Sequence, residues 1–177
     1  MAWETEIKLR VRSLEAVRSK LHACSGARKM GVFHEFNLIF DTPSASLLND
    51  GRGLRIRTSR DQGTGDDHVT LTAKGPVGRG LMKSREEVEI RVDDAASCEA
   101  LLILLGYRRV LEFPKVRERW EVDSCHVDLD ELPSLGEFVE IEGLDEQAIL
   151  RVRDRLGLAD AEHEARTYVE MLASQPR

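Results

Sequence analysis

Polar and apolar side chains alternate along much of the chain with a period of two residues, a spacing that is typical of β-strands. The first such run, over residues 3–12, has Ile7, Leu9 and Val11 on one face and charged side chains on the other. Comparable runs cover residues 36–41, 54–57, 69–74, 85–92, 116–122, 125–130 and 138–142. Hairpin-like spacing separates many of these runs, so we expect the strands to pair antiparallel.

Apolar residues at helical spacing mark a few stretches between and after these strands. We expect helices near residues 14–21, 94–105, 149–156 and 162–172. The second of them begins at Asp94, and its Leu101, Leu102 and Leu105 are predicted to pack in the core. Antiparallel strands interrupted by a few helices indicate an α+β class and not a parallel βαβ winding.

Length and composition narrow the range of functions. A chain of 177 residues is about one ordinary domain, so we expect a single domain over residues 1–177. The net charge of −6 argues against a general nucleic-acid or membrane surface. Cys24, Cys98 and Cys125 form no C-x-x-C pair, which argues against a disulfide framework or a zinc site. Without an apolar run of about 20 residues or a signal-peptide core, we expect a cytoplasmic protein.

Two pairs of glutamates raise a question about the charged strand faces. Glu4 and Glu6 lie side by side on the first strand, and Glu140 and Glu142 have the same spacing on the last one. A charged strand face is ordinarily a solvated face. Like charges in a pair repel one another unless cations lie between them, however, so two such pairs indicate a metal site.

The charged faces also contain many basic residues at the same two-residue spacing. The acidic set is Glu4, Glu6, Glu87, Glu89, Asp128, Asp130, Glu140 and Glu142, and the basic set is Lys8, Arg10, Arg55, Arg57, Lys74, Arg85, Lys115, Arg117 and Arg119. If the sheet closes with these faces inside, enclosed charges need a highly charged ligand to offset their desolvation. A phosphate chain with divalent cations would satisfy both signs.

Several of these segments, taken in order, resemble the CYTH superfamily of triphosphate tunnel enzymes, which includes class IV adenylate cyclases and thiamine triphosphatases. The resemblance covers nearly the whole chain and is greatest to the class IV adenylate cyclase branch. It rests on the Glu-x-Glu-x-Lys motif at residues 4–8 and on residues 40–42, 54–57, 72–76, 85–89 and 135–142. It implies an antiparallel closed barrel of about eight strands with a charged interior and helices packed outside.

The resemblance also implies roles for individual residues. Mg²⁺ or Mn²⁺ would be held by Glu4, Glu6, Asp128, Asp130, Glu140 and Glu142. The phosphates of the substrate would be held by Lys8, Arg55, Arg57, Lys74, Arg85, Lys115 and Arg117. The catalytic residues would be Lys8, Glu4 and Glu6.

Three functions are compatible with such a tunnel. The resemblance favours the conversion of ATP into cyclic AMP and pyrophosphate. The alternatives are hydrolysis of inorganic, thiamine or nucleoside triphosphate, and a module that binds polyphosphate or nucleotides without catalysis. In each case we expect the partner to be a small phosphate compound. We expect neither a nucleic acid nor a membrane as a partner. Homodimers are common among the relatives, although this sequence marks no interface.

Overall fold

A computed structural model of the protein describes residues 2–78 and 82–175, without the side chains of Ala2 and Glu4. Its main element is an antiparallel sheet that closes on itself, because the first strand pairs with both the fifth and the eighth. The order around the barrel is β5-β4-β3-β2-β6-β7-β8-β1, and β9 pairs with β1 outside the ring. The strands are β1 Ala2–Arg10, β2 Arg28–Asp41, β3 Gly53–Asp61, β4 Asp67–Lys74, β5 Lys83–Val92, β6 Arg108–Val122, β7 Cys125–Leu132, β8 Gly136–Gly143 and β9 Glu162–His163. The predicted closed antiparallel barrel of eight strands is confirmed.

The strand register brings the predicted site residues onto neighbouring positions inside the barrel. On β1 and β8, Glu6 pairs with Glu142 and Lys8 pairs with Glu140. Because side chains alternate across a strand, the residues between these positions point to the outer face. The two glutamate motifs at opposite ends of the sequence therefore lie on adjacent strands.

Most of the apolar core lies outside the barrel, between the strands and the helices. Outward residues such as Leu9, Leu129 and Ile141 pack with Leu21 and Ile149 of the helices. The helices are α1 Leu14–Ala23, α2 Ser46–Asn49, α3 Ala95–Leu104, α4 Glu146–Arg155 and α5 Tyr168–Ala173. This inverts the ordinary small barrel, whose interior is filled by apolar side chains. None of the helices in residues 2–78 and 82–175 has the length and apolarity needed to cross a membrane.

Two sequence predictions about secondary structure are wrong in part. Residues 162–172 do not form one helix, because Glu162–His163 pairs with β1 and the chain turns before α5 begins. Thr167 and Glu170 form a capping box that starts α5 at Tyr168. The strands β2 and β6 are also longer than predicted, since they pair with each other beyond the parts whose sequence alternates.

The prediction that Leu101, Leu102 and Leu105 are core residues holds only for Leu102. Leu102 is 4% exposed and packs on the outside of the barrel, whereas Leu101 and Leu105 are 55% and 66% exposed. Consecutive apolar residues lie all around a helix, and only one side of α3 contacts the barrel. The side chains of Leu101, Ile103 and Leu104 lie on the other sides of α3 and are exposed.

Candidate active site

All eight strands of the barrel contribute side chains to one cavity of about 1180 Å³. Mostly charged side chains line its inner part, together with the buried Ile39, Phe113 and Tyr168, and the more exposed apolar side chains of Trp3, Leu48 and Val77 lie at its mouth. Ten of the predicted site residues line this space: Glu6, Lys8, Arg55, Arg57, Lys74, Arg85, Lys115, Arg117, Glu140 and Glu142. The fold therefore assembles side chains that are far apart in the sequence.

One side of the interior, formed by β6, β7 and β8, is held together by its own ion pairs. We call this set the paired wall: Lys115, Arg117, Asp128, Asp130 and Glu140. Arg117 donates to both oxygens of Asp130 at 2.7 and 2.6 Å, to Glu140 at 2.5 Å, and lies 2.5 Å from an oxygen of Asp128. Burial alone would lower the pKa of Arg117, but Asp128 and Asp130 raise it well above its usual value.

The two aspartates of the paired wall lie behind the surface of the cavity. Asp130 is fully buried and accepts hydrogen bonds from Lys115 at 3.1 Å and from the Tyr168 hydroxyl at 2.8 Å, in addition to Arg117. Asp128 accepts two hydrogen bonds of 2.8 Å from Arg119. The ligand role predicted for these aspartates stays a prediction, while their oxygens here hold basic side chains in place.

Glu35 on β2 connects the paired wall to β3. It lies 3.1 Å from Arg57 Nη1 and 3.3 Å from Lys115 Nζ, and only 6% of the residue is exposed. Burial raises the pKa of Glu35, but Lys115 and Arg57 lower it by more, so it is shifted far below its usual range. Asn37 accepts a further hydrogen bond of 2.9 Å from Arg57 Nε, which orients the guanidinium.

The opposite side of the interior is more accessible from the cavity. We call it the open wall: Arg55 and Arg57 on β3 and Lys74 on β4. Their side chains are 14–18% exposed, compared with 0–11% for the paired wall. Arg55 donates to Thr72 Oγ1 at 3.2 Å, and its buried Nε makes no hydrogen bond to the residues that the structure describes. Lys74 pairs with Glu87.

Two lysines face each other near the glutamates of β1 and β8. The ammonium of Lys8 lies 3.3 Å from Glu140 and 3.7 Å from the centre of the Tyr168 ring. Lys8 and Lys83 both donate to the main-chain carbonyl of Arg166, at 3.2 and 3.0 Å. Burial and the charge of Lys8 lower the pKa of Lys83 to about 8. The segment before α5 therefore fixes both ammonium groups at the cavity.

The structure describes the side chains of five of the six predicted metal ligands, all except that of Glu4. Glu6, Glu140 and Glu142 line the cavity from adjacent strands, and carboxylate oxygens are the hard ligands that Mg²⁺ and Mn²⁺ prefer. The side chain of Glu4 lies outside what the structure describes, although its backbone pairs with Arg85 in the β1–β5 register. Among the described side chains, no group of three or more His, Cys, Asp or Glu residues is placed to hold a metal ion.

The sequence analysis did not identify three residues of the interior, namely Glu35, Lys83 and Tyr168. Glu35 and Lys83 could have been found, because each lies two residues from an inward residue, Asn37 and Arg85, and strand alternation puts them on the same face. Tyr168 carries no local signal. Its role follows from a contact between α5 and the barrel that joins distant parts of the chain.

Comparison with known sequences agrees with this geometry. A sequence model of the CYTH domain matches residues 2–168. The chain belongs to the CYTH family. Members of this family are adenylate-cyclase-like or triphosphatase enzymes that bind triphosphates in a tunnel and depend on a metal ion. The predicted family membership is thereby confirmed.

Individual proteins from other organisms are similar over most of the chain. The adenylate cyclase CyaB of Aeromonas hydrophila is 32% identical over 175 residues, which cover 94% of this chain and 86% of that protein. The structure of the PH1819 protein from Pyrococcus horikoshii OT3 has a TM-score of 0.83 and 28% identity, and the match covers 96% of this chain and 98% of that chain. HpAC1 from Hippeastrum, which has a dominant triphosphatase activity, has a TM-score of 0.72 over 98% of this chain and 96% of that one. At 18% identity, this last similarity shows the fold alone.

Proposed function

We propose that this protein binds ATP with Mg²⁺ or Mn²⁺ in the barrel cavity and converts it into cyclic AMP and pyrophosphate. The observation that carries the proposal is the division of the cavity into a charged inner part and an apolar mouth. The similarity to CyaB over nearly the whole chain supports the same reaction. Since the fold is shared with a protein of dominant triphosphatase activity, the fold alone does not distinguish cyclisation from hydrolysis.

The charged inner part fits a chain of phosphates. Basic side chains reach it from β1, β3, β4, β5 and β6, so successive phosphates can be contacted from several directions. Arginines bind phosphate oxygens in a bidentate manner, and lysines supply compact charges. The open wall is the part best placed to do so, because Arg55 has a buried Nε without a partner in the described part of the chain.

The apolar mouth fits a nucleoside better than an inorganic phosphate. Trp3, Leu48 and Val77 are 69%, 40% and 41% exposed, and all three line the cavity. An exposed indole offers a face on which a base can stack. The cavity of about 1180 Å³ is also larger than the ~300–1,000 Å³ of ordinary ligand pockets, which leaves room for a nucleoside beyond the phosphates.

The described carboxylates form no group of three that holds a cation by itself, so Glu6, Glu140 and Glu142, together with Glu4, would hold the divalent cation jointly with the phosphates of the substrate. When bound, such a cation withdraws negative charge from phosphate oxygens. Asp128 and Asp130 would instead keep Arg117 and its neighbours in position, since they do not line the cavity as Glu140 does and their oxygens accept hydrogen bonds from the basic side chains around them. This division of roles gives the four glutamates and the two aspartates different expected effects when they are neutralised.

In the proposed reaction the ribose 3′ oxygen attacks the α-phosphorus, the bond from this phosphorus to the bridging oxygen breaks, and pyrophosphate leaves. The hydroxyl proton passes to solvent water as the ring closes. Arginine and lysine side chains of the cavity stabilise the negative charge that develops on the α-phosphate and on the leaving group. Lys8 and Lys83 line the cavity beside the carboxylates, where their ammonium groups can contact phosphate.

The reaction can be assigned by incubating the protein with ATP, inorganic tripolyphosphate or thiamine triphosphate in the presence of Mg²⁺ or Mn²⁺. The products are then separated by anion-exchange chromatography. We expect cyclic AMP and pyrophosphate from ATP. Release of terminal phosphate from these substrates would assign the triphosphatase reaction instead, and no turnover of any of them would overturn the enzyme proposal.

A glutamate variant distinguishes an enzyme from a binding module. Glu142→Gln removes one proposed cation ligand, so we expect turnover to fall by at least about 100-fold while tripolyphosphate still binds in the absence of divalent cations. The matched control is Glu131→Gln on β7, an exposed residue that does not line the cavity. Equal activity of the two variants would rule out Glu142 as a cation ligand.

A further inference from the structure

A second, smaller cavity lies at the end of the barrel interior opposite the mouth. On β3 the main cavity is lined by Arg55 and Arg57, and the smaller one is lined by Arg57 and Ser59. On β4, Thr72 lines the main cavity and Thr70 lines the smaller one. Because inward side chains recur at every second residue of a strand, the two spaces follow one another along the barrel. We call the smaller space, of about 160 Å³, the far cavity.

The two cavities adjoin at four charged side chains. Within the part of the chain that the structure describes, Arg57, Glu89 and Arg119 line both cavities, and Glu35, which contacts Arg57, lines the far cavity. We call these four side chains the inner passage. A phosphate chain that extended beyond the main cavity would have to pass them.

Both arginines of the inner passage are already held by carboxylates. Arg57 Nη1 donates to Glu35 at 3.1 Å, and Arg57 Nε donates to Asn37 at 2.9 Å. Arg119 donates two hydrogen bonds of 2.8 Å to Asp128. A phosphate group in the far cavity would therefore have to compete with these carboxylates for positive charge.

The two carboxylates of the inner passage would also repel a phosphate group. Burial raises the pKa of Glu35, but the charges of Lys115 and Arg57 lower it by more, so Glu35 is ionised at neutral pH. Glu89 accepts a hydrogen bond of 2.7 Å from Thr72. Like charges repel strongly where little water screens them, and Glu35 is only 6% exposed. An anionic group is therefore disfavoured beyond Arg57.

Space alone does not keep a phosphate group out of the far cavity. Its volume of about 160 Å³ is several times the ~30 Å³ that one water molecule occupies in the liquid. The hydroxyl-bearing residues Ser59 and Thr70 line it, and hydroxyl groups can donate to a phosphate oxygen. The barrier is therefore the charge at the inner passage, and a change of charge without a change of shape should remove it.

We propose that Glu35 and Glu89 end the phosphate-binding site at the inner passage, so that this protein binds ATP and excludes adenosine 5′-tetraphosphate. The proposal rests on the proposed function, in which the nucleoside lies at the mouth and the phosphates extend inward. A fourth phosphate would then be placed at the inner passage, beside two carboxylates. Repulsion of a wrong ligand by like charge is one of the ways in which binding sites achieve specificity.

Titration calorimetry in EDTA, without divalent cations, compares the two nucleotides in the absence of turnover. We expect the unmodified protein to bind ATP about 10- to 100-fold more tightly than adenosine 5′-tetraphosphate. Inorganic tetrapolyphosphate should bind at least as tightly as tripolyphosphate, because without a nucleoside its fourth phosphate can extend toward the mouth. Weaker binding of tetrapolyphosphate than of tripolyphosphate would overturn the assignment of this selection to the inner passage.

Three variants change the charge of the inner passage by different amounts. Glu35→Gln removes one charge with little change in shape and should reduce the preference for ATP to less than about threefold. Glu35→Asp keeps the charge and should keep the preference. Glu89→Gln should reduce the preference by a smaller factor, because its side chain is 44% exposed and water screens its charge. Circular dichroism checks that each variant is folded.

The matched control is Glu87→Gln, which removes the same charge from the same strand. Glu87 lines the main cavity and not the far one. This variant should change the affinities for both nucleotides by the same factor, so that their ratio stays as in the unmodified protein. Comparing ratios removes the general gain in anion affinity that follows the loss of any negative charge. A ratio as low as that of Glu35→Gln would overturn the proposal.

Equal affinities of the unmodified protein for ATP and adenosine 5′-tetraphosphate would overturn the proposal, and so would a folded Glu35→Gln variant that keeps the full preference. If Glu35→Gln does not fold, Glu89→Gln decides in its place, and an unchanged preference in that variant would overturn the proposal. Conversion of ATP in the product assay would leave the proposed function intact after any of these results. A protein that neither binds nor converts ATP would overturn both proposals together.

Discussion

The two sides of the barrel interior carry similar side chains but differ in how those charges are satisfied. On the paired wall, Arg117 contacts three buried carboxylates, and Asp130 has no exposed surface. On the open wall, Arg55 and Lys74 line the cavity and have more exposed surface. Buried ion pairs hold a structure in one arrangement, whereas partly exposed cations are available to a ligand. Charge inside a barrel therefore has two separate uses, as framework and as binding surface.

The largest effect should come from breaking the paired wall. Arg117→Met leaves Asp128, Asp130 and Glu140 buried without their shared cation, so we expect the free energy of unfolding to fall by about 3–5 kcal/mol. The same change on the open wall, Arg55→Met, should cost less than about 1 kcal/mol, since its ion pair is partly exposed. Urea unfolding followed by circular dichroism measures both. Equal losses would remove the distinction between the two walls.

Acid should also weaken the paired wall and its connection to Glu35. The folded pKa values of Glu35 and Glu140 lie below the unfolded value of 4.5, because nearby lysines and arginines outweigh the effect of burial. The unfolded state therefore binds more protons, and the stabilisation from these groups is present above about pH 4.5 and is lost as the pH falls toward the folded values. For a paired carboxylate the loss is on the order of 2–3 kcal/mol.

Urea unfolding from about pH 7 to about pH 3 measures this loss. Glu35→Gln should have a flatter dependence than the unmodified protein. Glu112→Gln, which changes a side chain that is 53% exposed, should keep the original slope. An unchanged slope in Glu35→Gln would contradict the assignment of acid sensitivity to this group.

Ligand affinity should depend on the open wall. Arg55→Met should weaken the binding of inorganic tripolyphosphate by about 10- to 100-fold, as expected for the loss of a charge-assisted hydrogen bond. Titration calorimetry measures the affinity. The control is Arg60→Met on the same strand, where the side chain is 64% exposed and outside the cavity lining. Similar affinities for the two variants would show that the open wall does not bind phosphate.

The smallest effect should come from the contact of α5 with the paired wall. Tyr168→Phe removes one of the hydrogen bonds to Asp130 and keeps the ring beside Lys8, so we expect a loss of about 1 kcal/mol in unfolding free energy. Tyr168→Leu also removes the cation–π contact and should cost more. If both variants are as stable as the unmodified protein, α5 does not support the wall.

The strands and most of the charged residues that line the cavity could be predicted from the sequence, because alternation in a strand is a local property. Arg55 and Arg57 or Glu140 and Glu142 share a face wherever the strand is placed. The helix of residues 162–172 was predicted incorrectly because Glu162–His163 pairs with β1, a contact that no local pattern reveals. The α3 leucines were assigned to the core because apolar character alone does not tell which side of a helix has a neighbour.

The strand faces, the inward charges and, through the motifs, the CYTH family follow from the order of the amino acids alone. The tertiary structure decided which of these charges are paired with one another and which face the cavity. Both walls have the same alternating pattern, and only the register of β6, β7 and β8 brings Arg117 within reach of three carboxylates. The reason is physical: side-chain direction follows from adjacent residues, whereas the energy of a buried charge depends on neighbours that distant parts of the chain supply.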